Sequence, residues 1–367
     1  MSARDVVIVG GGVIGASCAR SAARRGLTVA VWDPGPLPGA ASQASAGMLA
    51  AQVGSRDDDS MLALGVRARD LYDGLAAELR DGTGIDIGLW RPGALAVAFD
   101  ETRADVLQAA VARQRQAGLR CDWLTGDEVR QNWPGIAPEC VGALHAPEDG
   151  AVDPDALRHA FLADAANLGA ELRPGRVTGI RHDGERVSGV VTADGEVAAR
   201  HVVLAAGAWT PQLTGLPRDL AVDPVRGQLA SLPWPAGAPQ AIVLDGHTYA
   251  LARGDQAIVG STMEHVGFDA AVTDEGLARL RAATDRLLPW LADRPFTRSW
   301  AGLRPMTPDG LPYVGPDPEI ESLWYATGHG RSGILLAGLT GELIADLITQ
   351  GETEVDWSPM GPREFPA

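Results

Sequence analysis

The chain has 367 residues, of which 46% are hydrophobic, and its 47 acidic against 31 basic side chains leave a formal net charge of −16. That length favours two interleaved domains over a single core, and the acidic balance disfavours nucleic acid and anionic membrane surfaces as partners. Three scattered cysteines, Cys18, Cys121 and Cys140, argue against a disulfide framework and fit a reducing, cytoplasmic setting.

The first element is a β-branched run, residues 6–9, and Gly10-Gly11-Gly12-Val13-Ile14-Gly15 follows it directly. A helix is expected over 13–25. Strand, G-x-G-x-x-G turn and helix together open a dinucleotide-binding βαβ unit. Gly10 permits the tight turn, Gly12 lets backbone N–H groups reach a pyrophosphate, and Gly15 lets the helix lie close on the sheet. Val13 and Ile14 begin the helix, whose N-terminus favours anions. A second strand over 28–32 ends at Asp33-Pro34, and Asp33 is placed to accept hydrogen bonds from a ribose diol. The small-residue stretch that follows includes Ser42, Gln43, Gly47, Met48 and Leu49, and exposes backbone N–H groups over which an extended cofactor can lie.

Next come a helix over 61–80, a strand over 93–98 and a helix over 102–117. Asp153-Pro154 reads as an N-cap with proline at the first helical position. Strands are expected at 177–180, 187–191 and 202–204, the last running into a small-residue turn around Gly207. Further strands at 241–244, 248–251 and 256–259 precede a helix over 273–288. After a strand at 323–326, Gly328-His329-Gly330-Arg331-Ser332-Gly333 opens a helix over 334–349 that starts with Ile334 and Leu335. Three glycine or small-residue turns, far apart in sequence, suit a long FAD better than a short nucleotide. No apolar run is long enough to cross a bilayer, and Glu342 and Asp346 make the last helix amphipathic. The N-terminus lacks a signal-like segment. No internal repeat, metal-ligand cluster or nucleophile motif occurs, so no metal is expected.

Several segments carry a family resemblance. They are 6–15, 42–49, Asp149-Gly150-Ala151-Val152-Asp153-Pro154, Pro224-Val225-Arg226-Gly227-Gln228, Trp300-Ala301-Gly302-Leu303-Arg304-Pro305, Thr307-Pro308-Asp309-Gly310-Leu311-Pro312 and 328–336. The chain resembles the D-amino-acid-oxidase-type flavoproteins, and within them the glycine oxidases of thiamine biosynthesis. The resemblance implies an α/β fold with a Rossmann-like FAD-binding domain made of 1–85, 149–219 and 304–367. A substrate domain built on an antiparallel sheet, 86–148 and 220–303, would roof the flavin. It implies oxidative deamination of glycine, sarcosine or small D-amino acids by hydride transfer to FAD, with O2 reduced to H2O2 and the imine passed to thiazole synthesis. A related dehydrogenase that passes electrons to a quinone or partner protein, and a silent FAD-binding module, remain alternatives. A homo-oligomer stays open. Sarcosine-oxidase-like relatives tether flavin through a cysteine just before Thr-Pro-Asp; none precedes Thr307-Pro308-Asp309, so FAD is expected to be non-covalent.

A substrate carboxylate calls for a planar, permanently charged fork. By resemblance Arg304 grips it bidentately and Arg331 makes a second contact. His247 and Tyr249 share one face of a strand and by resemblance line the pocket, though a sheet-surface pair is equally compatible with the spacing. Met263 matches a pocket position, with core packing as the alternative. Val177 matches a backbone contact on the adenine side, and His329 serves the flavin turn through its backbone. Gly330 departs from the bulky aromatic of the glycine oxidases, which would enlarge the pocket or loosen the turn and puts glycine itself in doubt as the preferred substrate.

Overall fold

A computed structural model describes residues 4–55, 61–246 and 248–363; His247 lies outside the described residues. The strand Arg4–Val9 sits at the centre of the first sheet, pairing parallel with Val29–Asp33 on one side and Gly195–Leu204 on the other. Its run of apolar residues, rather than an alternation, is what a parallel strand covered on both faces requires. Val6 and Ile8 face one core and Val7 and Val9 the other. Tyr313–Pro316 and Leu323–Thr327 extend the sheet beyond Gly195–Leu204, and Glu171–Pro174 closes the far edge. The antiparallel pair Val177–His182 and Val187–Thr192 joins on through Gly195–Leu204.

The helices that follow the two glycine turns, Val13–Arg24 and Gly333–Gln350, pack on one another. A Cβ at Gly341 would stand 2.3 Å from Ser17 Oγ, so the helices meet where neither carries bulk. Arg25 clamps their far ends through Glu342 at 2.8 Å and Asp346 at 2.5 Å. The closing helix corrects one expectation. At 18 residues and mean hydropathy 1.3 it is long and apolar enough to cross a membrane, yet 67% of it is buried inside the protein. It is a core helix, and its two acids face Arg25. Pro154–Asn167 begins as expected, with Asp153 accepting hydrogen bonds from the N–H groups of Asp155 and Ala156.

The second sheet has eight strands in the order Arg298–Met306, Asp223–Pro233, Gln256–Gly260, Tyr249–Arg253, Ile242–Leu244, Ala94–Ala98, Gly142–Ala146 and Asp122–Thr125. It is antiparallel except where Ile242–Leu244 meets Ala94–Ala98 in parallel. That exception falls at the seam between the two sequence segments that build the sheet; strands joined by no hairpin are free to pair in either direction. Backbone and side-chain hydrogen bonds tie this sheet to the loops around the first sheet. Leu303 N–H donates to Gly39 O at 2.8 Å, Trp300 Nε1 donates to Ala44 O at 2.9 Å, and Gly330 N–H donates to Pro305 O at 2.9 Å.

Candidate active site

In a parallel sheet, ligands gather outside the carboxyl ends of the strands. Here Val9, Asp33, Leu204 and Thr327 end neighbouring strands. Immediately beyond them opens a cavity of about 470 Å³. Gly10 holds φ at +104°, and a Cβ there would reach within 2.6 Å of Ala205 O, so the first glycine turn touches the turn around Gly207. A Cβ at Gly15 would stand 1.9 Å from Gly10 O, which is the close helix–strand approach expected of it. No side chain caps Gly12 at the start of Val13–Arg24, but Ser42 Oγ accepts from the N–H of Val13 at 3.0 Å. The remaining first-turn N–H groups give the cavity an anion-binding end. Asp33 accepts one backbone hydrogen bond on each oxygen, from Gly11 at 2.6 Å and Gly35 at 2.8 Å. Each oxygen keeps a lone pair for a ribose hydroxyl.

The expected cofactor residues divide in two. Gly10, Gly12, Val13, Ile14, Asp33 and Pro34 line the cavity with Ser42, Gln43, Val177 and Gly207. From the last turn, His329, Gly330, Arg331, Gly333 and Ile334 join them. Gly15 acts through packing instead. Gly47, Met48, Leu49, Ser332 and Leu335 are not on the cavity wall. Leu49 is fully buried in the core, and Met48 and Leu49 pair with Gly150–Ala151. Gly47 is pressed against Val152, and Leu335 points to Gly65.

Of the expected substrate residues, Arg331 lines this cavity; Arg304 and Tyr249 do not, although Leu303 and Pro305, the chain neighbours of Arg304, do. Arg304 comes from Arg298–Met306 and Tyr249 from Tyr249–Arg253. Arg304 Nη1 donates to Thr262 O at 3.2 Å and Nη2 to Ser261 Oγ. Burial pushes the Tyr249 phenol up to about 12, although Arg304 and Arg331 both pull it down. It therefore stays a neutral donor. Burial lowers the Arg304 guanidinium, and Arg331 adds to that while Tyr249 opposes it. These mutual effects put Tyr249, Arg304 and Arg331 within electrostatic reach of one another. Two cations beside a neutral phenol suit a carboxylate. His329 is a different case: burial drives it down to about 3, its Nε2 lies 3.1 Å from Thr340 Oγ1, and it is neutral at physiological pH.

Met263 is neither core nor cavity wall, being 53% exposed. Its loop nonetheless supplies Ser261 and Thr262 to Arg304. Gly330 neither loosens its turn nor leaves a hole. Its φ is +52°, its N–H is held by Pro305, and a Cβ there would meet Met306 Sδ at 2.8 Å. Met306 occupies the space beside it.

Two residues escaped sequence reasoning. A Cβ at Gly227 would lie 2.2 Å from both terminal nitrogens of Arg304, and one at Gly260 would lie 2.7 Å from the Tyr249 hydroxyl. Gly227 lies inside the strand Asp223–Pro233 and Gly260 ends Gln256–Gly260, where a missing side chain signals close approach by another group. Neither glycine falls within a strand that the sequence predicts, so that signal was hidden.

A family model described as FAD dependent oxidoreductase matches residues 5–347. The chain belongs to that family. It is 39% identical to a protein named glycine oxidase from Geobacillus kaustophilus, over 97% of this chain and 96% of the relative. It is 37% identical to a protein of the same name from Pseudomonas aeruginosa, over 97% and 98%. A crystal structure of the Geobacillus kaustophilus glycine oxidase superimposes with TM-score 0.93 at 37% identity, covering 100% of both chains. Membership makes FAD the cofactor, and the cradle fits it: two helix N-termini, a carboxylate with lone pairs to spare at the end of the second strand, and glycines where side chains would intrude.

Proposed function

We propose that the chain oxidises a small amino acid, glycine before others, with FAD as oxidant and O2 as final acceptor, giving an imine and H2O2. The observation that carries this reading is the grouping of Arg304, Arg331 and Tyr249 within electrostatic reach of one another, with Arg331 and the chain neighbours of Arg304 on the wall of the cofactor cavity. Bound FAD supplies the hydride acceptor. The protein binds and orients. Arg304 grips the substrate carboxylate, with Tyr249 donating from its neutral hydroxyl and Arg331 adding charge. The pairing of Arg298–Met306 with Asp223–Pro233 fixes Arg304 from below, and a fixed substrate carboxylate fixes the α-carbon. The close relatives' name, glycine oxidase, supports glycine as substrate, and the resemblance supports a role in supplying imine for thiazole synthesis in the cytoplasm.

On this reading 1–85, 149–219 and 304–367 form the FAD domain, and 86–148 and 220–303 the substrate domain. The first sheet lies wholly in the former set. The second lies in the latter but for the last residues of Arg298–Met306. No cysteine is among the residues lining the cavity, which supports non-covalent FAD.

Arg304→Met tests the assignment. It removes charge-assisted hydrogen bonds to a buried carboxylate, so KM for glycine should rise on the order of a hundredfold while bound FAD stays at one per chain. A KM near that of the wild type would refute the role. Peroxide counted against glycine consumed tests the acceptor: equal amounts fit O2, and none would assign electrons to a quinone or a partner protein.

A further inference from the structure

The FAD pyrophosphate is doubly negative, and the chain around it carries a net charge of −16. Helix N-termini supply only partial charges, and Asp33 adds a negative one at the ribose. A full positive charge is therefore wanted on the nucleotide side of the cavity, remote from Arg304 and Arg331.

Arg158 stands there. It rises from the second turn of Pro154–Asn167, beside the residues of that helix that are buried in the core. Its side chain is 17% exposed and lines the same cavity as Gly11, Gly12, Ser42 and Gln43. Nη1 donates to Gly11 O at 3.3 Å, on the first glycine turn itself. Nη2 approaches His159 Nε2 at 3.0 Å. Nε is buried and has no hydrogen-bond partner, because Asp155 Oδ1, the nearest carboxylate oxygen, is 3.9 Å away. Buried polar groups without partners are uncommon, and each asks for a ligand or a cost. A guanidinium anchored to the glycine turn, with a donor left over, matches a phosphate.

We propose that Arg158 is a cofactor-binding residue that holds the pyrophosphate of FAD against the first glycine turn. Arg158 works with the N-terminus of Val13–Arg24 and does not touch the amino-acid substrate. Its charge offsets one of the two on the pyrophosphate.

The test is FAD affinity of the apoprotein, measured by quenching of flavin fluorescence across an ionic-strength series. In Arg158→Met the Kd should rise about ten- to a hundredfold, the range for a hydrogen bond to a charged group, and it should depend less steeply on salt. Arg158→Lys should recover part of the affinity and the wild-type salt dependence. The melting temperature of each apoprotein separates binding from folding, since a purely structural arginine would lower it in Arg158→Met and leave the salt slope alone. Should Arg158→Met fail to fold, Arg158→Gln carries the same comparison without the charge. Wild-type affinity and salt dependence in a folded, uncharged variant would overturn the proposal; wild-type protein that bound no FAD would overturn the cofactor itself.

Discussion

At Gly227 a single methyl group separates a working site from a blocked one. Its hydrogen occupies the place where a Cβ would come within 2.2 Å of Arg304 Nη1 and Nη2. The obstacle is the far end of a flexible side chain, so the strand need not move; the guanidinium must. Gly227→Ala should therefore fold, keep FAD and leave the melting temperature within a few degrees of wild type. Its KM for glycine should rise at least tenfold, because Arg304 loses its place over the sheet and with it the bidentate geometry. Steady-state kinetics beside a thermal melt would check this, and an unchanged KM would show that the arginine has another seat. Sequence made Arg304 visible through its motif but said nothing of the floor beneath it. Gly227 was quoted in a matching segment and given no task, because a glycine's role depends on which side chain crosses it from another strand. Met263 shows the converse. Its motif position was legible, but its exposure of 53% was not, since burial is decided by elements distant in sequence.

Among elements, legibility followed local pattern. Helices with caps or amphipathic spacing came out nearly as read: 102–117 is Glu101–Gln116, and 273–288 is Asp274–Leu287. The strands Asp223–Pro233 and Arg298–Met306 were not seen, although they pair along most of their length. Pro224, Gly227, Gly302 and Pro305 interrupt any strand pattern, and their pairing with each other, with Gln256–Gly260 and against the small-residue loop at 39–44 gives these strands a reason to extend. Helix packing gives a sharper case. Gly341 looks like a weak point inside a helix, yet it is the point of closest approach to Val13–Arg24, 2.3 Å from Ser17 Oγ and 2.7 Å from Ser17 backbone by its would-be Cβ. Gly341→Val forces backbone from backbone. Overpacking of this kind costs about 1–3 kcal/mol, or several degrees of melting temperature in a chain of this size. It should also weaken FAD, since both helices aim their N-termini at the cavity. Gly74 is the control: a Cβ there would meet nothing within 4 Å, so Gly74→Ala should hold or slightly raise the melting temperature. A Gly341→Val melting temperature at or above that of the wild type, as helix propensity alone would give, would mean that packing does not set the effect.

Across the whole molecule, many carboxylates are held in ion pairs while His329 is buried and His145 and His201 are half-buried, and the two have linked consequences for acid stability. Burial lowers His329 from an ordinary 6.5 to about 3 and also lowers His145 and His201. A base that protonates more readily unfolded than folded gives stability that is lost as pH falls below the unfolded value. The loss should thus begin near pH 6.5. The carboxylates act later. Burial alone would raise Glu264, but hydrogen bonds from Arg226 and Thr262 outweigh it and hold it below its ordinary 4.5. Glu342 is lowered against burial by Arg25, and Asp317 by Tyr325 and backbone N–H groups. Stability from such groups is complete above the unfolded value and is lost as pH falls through the lower folded one. Asp149 opposes them, since burial raises its carboxyl despite Arg69 at 3.2 Å. A two-stage profile follows. The melting temperature should be level from pH 8 to about 6.5, decline gently to about 4.5, and then fall steeply. His329→Gln should flatten the first stage, because a neutral amide gains no proton on unfolding, and leave the second in place. Glu264→Gln should do the reverse, lowering the melting temperature at pH 7 and converging on the wild type near pH 3. A wild-type melting temperature that stays level down to pH 4.5 would mean that these histidines take up protons in the folded state.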